Sequence, residues 1–185
     1  MTLIGHSMGG LIAAGYLQSK SKRARVSKVV TVGTPYQGSL KAIRKMMTGE
    51  DELSRVPSGA REREAARLTP CLYYLLPSFE GSLKLPPKPR STSNTSGPNL
   101  TGKSIFDPAV WRRSIPGALE RFFMRHSVKS PEQYRERAAK LFTELLGNAR
   151  RHRERLAQMD LDGGATSLSS SQDYLCLIGV GVPTR

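Results

Sequence analysis

Gly5-His6-Ser7-Met8-Gly9 sets a serine between two glycines, each two residues away. This spacing fits a nucleophile carried on a sharp strand-to-helix turn. At such a turn the serine hydroxyl projects clear of the backbone and can attack an ester carbonyl. The backbone N–H of the next residue lies at a helix start. It can donate to the oxyanion that forms, in the favourable field of the helix N-terminus. The pattern therefore names Ser7 as nucleophile and the Met8 N–H as oxyanion donor. The glycines on both sides are expected to let strand and helix approach closely. Their spacing around Ser7 fits neither G-x-G-x-x-G nor the P-loop, so phosphate binding at this turn is set aside.

The flanking elements suit the motif. Thr2-Leu3-Ile4 is a short apolar strand, and a helix is expected from Gly10 to about Ser19. Val26 to Val32 is β-branched and stops at Gly33-Thr34-Pro35. Strand, helix and strand at this distance make a βαβ unit with parallel strands and a right-handed crossover. Residues 40–80 look helical and irregular, and 86–104 form a loop rich in Pro and Ser. A long helix is expected over 131–159, with Ser130 as N-cap and Pro131 in its first turn. Its apolar side carries Tyr134, Ala138, Leu141, Phe142, Leu145, Ala149 and Leu156. Tyr174 to Val182 reads as a buried strand. The expected architecture is α/β: a core over 1–40, a mostly helical cap or lid over 41–170, and a returning core strand over 171–185. An excursion of that length between neighbouring strands is too long for a crossover.

Gly5-His6-Ser7-Met8-Gly9-Gly10-Leu11, followed by Val30-Thr31-Val32-Gly33-Thr34-Pro35-Tyr36-Gln37-Gly38-Ser39, resembles the α/β-hydrolase lipases. Within them the chain is most similar to the lecithin:cholesterol acyltransferase family and its bacterial esterase relatives. Ala66 to Pro77 resembles that family's cap segment, and Tyr174 to Thr184 a later strand. The resemblance implies a partial α/β-hydrolase fold, a short parallel sheet with a large helical insertion. It implies a serine lipase, esterase or O-acyltransferase that forms an acyl-enzyme at Ser7 on a lipid ester, with no metal and no cofactor. In that fold the order is Ser, acid, His. The acid would follow Val182, and the His would lie further on. The expectation is a segment cut at both ends and inactive or nearly so alone. His6 is expected to pack beside the turn, and His126 and His152 to be solvated; none is assigned as base.

Lys and Arg total 29 against 15 Asp and Glu, giving a net charge of +14 and a pI near 10.3. Anionic partners are favoured. Candidates are an anionic membrane surface, an acidic protein and, with no motif or aromatic interleaving to support it, nucleic acid. The plainest reading of the Arg-rich 112–155 stretch is a solvated face with charge pairs along the helix. No apolar run approaches the ~20 residues of a membrane span and no leader is visible, so a cytoplasmic location is the default expectation. Cys71 and Cys176 cannot form a disulfide scaffold and have no metal-ligand spacing. Asn94-Thr95-Ser96 and Asn99-Leu100-Thr101 match the N-glycosylation pattern.

Overall fold

A computed structural model of the chain describes residues 1–18, 26–49, 59–79, 82, 103–126, 130–159, 168 and 173–179. The two glycosylation patterns and most of the 86–104 loop lie outside them. The chain forms two compact units, Met1–Tyr36 with His152–Arg185, and Gln37–Arg151.

The first unit is α/β. Strand β1 (Thr2–His6) leads into helix α1 (Met8–Gln18) and then β2 (Lys28–Val32). Strand β3 (Tyr174–Leu177) completes a parallel sheet in the order β1-β2-β3, with β2 central. Gly5 is level with Thr31, and Val32 with Leu177. Period-2 alternation sends Leu3, Val29 and Tyr174 to one face. There they pack with Ala13 and Leu17 of α1 and with Val26 and Leu168. Fully burying one such aliphatic side chain is worth about 1.5–3 kcal/mol. The opposite face carries Ile4, Leu175 and Leu177, all exposed, with Ile4 at 76 %. The composition from Tyr174 onward predicts a buried strand, but β3 is instead an exposed edge strand. Its apolar residues have the composition of a covered strand, whereas the face they share is open among the described residues.

The second unit is helical. Helix α2 (Leu40–Thr48) starts at Ser39, whose side chain accepts from the Lys41 N–H, and stops at Gly49, in the left-handed region with its N–H on the Lys45 carbonyl. Helices α3 (Gly59–Leu68) and α4 (Pro70–Tyr74) come next. A single 3-10 turn spans Pro108–Val110, and α5 runs over Pro116–His126. Helix α6 (Pro131–Ala157) begins in this unit, and its last residues, from His152, belong to the first. Gln133 reaches back to accept from the Ser130 N–H (3.3 Å), half of a capping box. Met46, Ala66, Tyr73, Leu76, Ile115, Leu119, Phe142 and Leu146 build the core. Tyr73 and Trp111 meet Phe142 edge-on, with centroids 6.2 and 6.1 Å away.

One buried cation ties this core together. Arg67, only 7 % exposed, donates from Nε to the Met46 carbonyl (2.8 Å) and from Nη1 to the Ser114 carbonyl (3.0 Å). Met46 lies in the last turn of α2, where carbonyls lack intrahelical donors. Tyr73 in turn donates its hydroxyl to the Arg67 carbonyl (2.7 Å).

Candidate functional site

Ser7 stands between β1 and α1, exposed, with φ +53°. It is the only non-glycine residue with positive φ among those described. Such a conformation costs about 1–3 kcal/mol and persists only where neighbours enforce it. Two backbone bonds do so. The Ser7 N–H continues the ladder onto the Val32 carbonyl (2.9 Å), and the Gly10 N–H donates to the Ser7 carbonyl (3.1 Å) in the first helical turn. Met8, half-buried, opens α1, so its N–H has no intrahelical acceptor.

Two glycines make the turn this tight. A Cβ on Gly5 would lie 2.7 Å from Gly10 N and 2.8 Å from Gly10 Cα. A Cβ on Gly10 would lie 1.9 Å from Thr34 Oγ1. Gly9 differs from what its place in the motif implies: a Cβ there would meet nothing within 4 Å. The close approach is carried by Gly5 and Gly10, while Gly9 borders open space.

Thr34 belongs to the turn after β2. Gly33 donates its N–H to the Leu177 carbonyl (2.9 Å), and Tyr36 N–H to the Thr34 carbonyl (3.0 Å). The Tyr36 and Tyr174 hydroxyls are hydrogen-bonded, and burial, then that bond, push the Tyr174 phenol up. Arg153, near the end of α6 and only 5 % exposed, donates from Nη1 to the carbonyls of Pro35 (3.2 Å) and Tyr36. Burial pushes its pKa down to about 10, so it stays protonated at neutral pH. Composition places Arg153 among the solvated arginines of the 112–155 stretch, and the structure buries it instead. A signal for this exists in the sequence. Tyr134, Ala138, Phe142, Leu146 and Ala149 are the buried row of α6, and Arg153 is its next i+4 position.

None of the three histidines is brought to Ser7 within the first unit. His6 is exposed rather than packed; alternation along β1 puts it on the face opposite α1. His152 is half-buried rather than solvated, and its ring sits 3.8 Å from where a Gly15 Cβ would be. Gly15 is about 10 Å along α1 from Met8 at 1.5 Å per residue. Burial lowers the His152 pKa, helped by Arg153 and Arg155. His126, in the second unit, is exposed.

Phosphate chemistry is set aside around Ser7, yet Gly97-Pro98-Asn99-Leu100-Thr101-Gly102-Lys103-Ser104 has the P-loop spacing. Residues 97–102 lie outside those described. The segment beginning at Lys103 does not fit a P-loop. A P-loop opens an α-helix, whereas Ser104 accepts the Phe106 N–H (3.3 Å) in a turn that leads to the 3-10 segment. Lys103 pairs with Asp107 at 3.5 Å. No group of three or more His, Cys, Asp or Glu side chains able to hold a metal occurs among the described residues. No described helix is long and apolar enough to cross a membrane.

The family model for lecithin:cholesterol acyltransferase matches residues 1–184. The chain belongs to that family. The match to the lecithin:cholesterol acyltransferase family spans residues of both units. Membership supports a lipid acyltransferase- or esterase-like function and a relation to the α/β-hydrolase superfamily. No curated protein and no solved structure gives a significant match.

Proposed function

We propose that Ser7 is the nucleophile of a serine acyltransferase or esterase acting on lipid esters. The first unit serves as a partial α/β-hydrolase core, and the second serves as a cap. One observation carries this reading: an exposed serine held at positive φ between a parallel strand and a helix, in a lecithin:cholesterol acyltransferase family chain. The Ser7 Oγ attacks the ester carbonyl carbon while a base takes its proton. The Met8 N–H donates to the oxyanion. Collapse breaks the bond to the leaving alcohol, which receives the proton, and water or a second alcohol then takes the acyl group from Ser7.

The described part of the first unit offers Ser7 no base, since His6 faces away and His152 sits beside Gly15. A serine without a base is a weak nucleophile at neutral pH. With no base supplied by the described residues of the first unit, we propose that ester turnover by this chain is slow. The test is a fluorophosphonate probe. Slow labelling of the chain that disappears in S7A supports the reading. Equal labelling of wild type and S7A, in this chain and in a longer chain containing it, overturns it.

A second reading, attachment to an anionic membrane, is favoured by α5. Phe122 and Met124 are exposed at 39 % and 58 %, with Arg121, Arg125 and His126 exposed beside them.

A further inference from the structure

We propose that Arg153 is a positioning residue for Ser7, acting through the Gly33–Tyr36 turn and Thr34 on the first turn of α1. This rests on the reading of Ser7 as nucleophile only for its catalytic consequence; the mechanical link stands on geometry.

The link has three steps. The guanidinium bonds the carbonyls of Pro35 and Tyr36. These belong to a segment outside any helix or strand, so no ladder fixes their direction. Pro35 brings no N–H of its own. A rigid planar donor that reaches two successive carbonyls sets the orientation of that peptide. The segment is then closed on its other side by Gly33 N–H on the Leu177 carbonyl and by the Tyr36–Tyr174 hydroxyl pair. So held, it presses the Thr34 side chain onto Gly10. The fit leaves no room for even a methyl at Gly10. It is tight enough that Thr34 Oγ1 is buried without a hydrogen-bond partner among the described residues. An orphaned hydroxyl costs about 1–3 kcal/mol, and that cost is tolerated at the contact that stops α1 from backing away from β1. Gly10 in turn bonds the Ser7 carbonyl, and Ser7 bonds Val32, the residue before Gly33. The circuit from Arg153 to Ser7 closes through neighbouring groups only.

The Nη1 hydrogen bonds of Arg153 go to the Pro35 and Tyr36 carbonyls and not to Ser7, so its proposed role is positioning rather than catalysis. A purely structural arginine would satisfy two part-buried carbonyls and stabilise the fold evenly. A positioning one sets local order at the serine turn. Hydrogen exchange read by mass spectrometry separates the two, using R153M, R153K and T34A in the full chain. In R153M, exchange in peptides covering 5–12 and 33–36 rises about tenfold or more, while peptides covering 134–149 keep their wild-type rate. T34A reproduces the rise at 5–12 and spares 33–36, because it breaks the link one step later. R153K, which can still reach a carbonyl, stays within about threefold of wild type. Ser7 labelling by a fluorophosphonate falls about tenfold in its maximal rate in R153M at unchanged probe affinity.

Unchanged exchange at 5–12 in R153M or T34A overturns the proposal, and so does a uniform rise across the chain. If R153M does not fold, T34A and R153K decide the matter. If wild type is never labelled while the local exchange pattern holds, the nucleophile reading fails and the positioning link stands.

Discussion

At the scale of single residues, the serine turn trades stability for presentation. Ser7 carries a conformational cost that glycine would not. S7G should therefore be more stable than S7A by about 1–2 kcal/mol, since Ala keeps the left-handed penalty and Gly loses it. Neither should be labelled by a fluorophosphonate. Urea midpoints of the two variants check the difference, and equal midpoints would mean that φ at position 7 relaxes once the hydroxyl is gone. The three glycines separate in the same experiment. G5A and G10A force backbone or Thr34 to move and should cost more than about 2 kcal/mol, as overpacking does. G9A meets open space in a helix and should be neutral or stabilising by about 0.5–1 kcal/mol. The G-x-S-x-G pattern is legible without a structure, but it gives Gly9 a packing duty that falls to Gly10. The pattern records spacing, whereas the clash depends on where Thr34 arrives from β2, which spacing does not contain.

At the scale of elements, periodicity locates the strands and helices well and says less about what they carry. Helix α6 is legible over nearly its whole length, from the Pro131 start. The apolar side read from sequence runs through Leu141 and Leu145, which are half-buried, while Leu146 and Arg153, on the buried row, escape it. Arg153 sits in the run Arg150-Arg151-His152-Arg153, whose composition reads as solvated charge; only phase along the helix marks it. His152 next to it gives a pH test. Burial and the two neighbouring arginines hold its folded pKa below the unfolded value of about 6.5. The unfolded chain then binds the proton more readily. The stability that neutral His152 contributes is complete above pH ~6.5 and is lost as pH falls through the folded pKa. Melting temperatures between pH 7.5 and 5.5 should fall more steeply for wild type than for H152N; parallel slopes would remove His152 as the cause. In the helical unit the comparable buried cation is Arg67. R67M leaves the Met46 and Ser114 carbonyls without their donor and should cost about 2–4 kcal/mol, against about 1 kcal/mol for Y73F, which removes one neutral hydrogen bond. A smaller loss for R67M than for Y73F would show that water replaces the guanidinium.

At the scale of the whole molecule, the charge of +14 is plain from composition, but its arrangement is not. Composition predicts pairs along the long helix. Pairs also join separate elements: Glu64 of α3 takes Arg121 (3.8 Å) and Arg125 (3.1 Å) of α5, and Glu120 of α5 takes Arg135 of α6 (3.1 Å). Sequence distance hides such pairs because they join separate elements. Their arginines are exposed, and exposed pairs contribute little stability, so the excess positive charge can act on a partner. On the proposed membrane reading, an anionic bilayer would match the features of α5. Its surface potential attracts each nearby Lys or Arg by about 1 kcal/mol, and its acyl boundary accepts an exposed apolar side chain such as Met124. The two contributions can be told apart. Binding to vesicles containing phosphatidylserine should be strong at about 0.1 M salt. It should largely vanish at about 1 M, where the screening length drops from about 10 to 3 Å, and it should be absent on neutral vesicles. The variant M124S keeps every charge, so its long-range attraction is intact, yet it should bind more weakly because that side chain no longer enters the boundary. If that variant binds as wild type does, α5 is not the docking face and the attraction is charge alone. If salt has no effect, the basic surface plays no part in it.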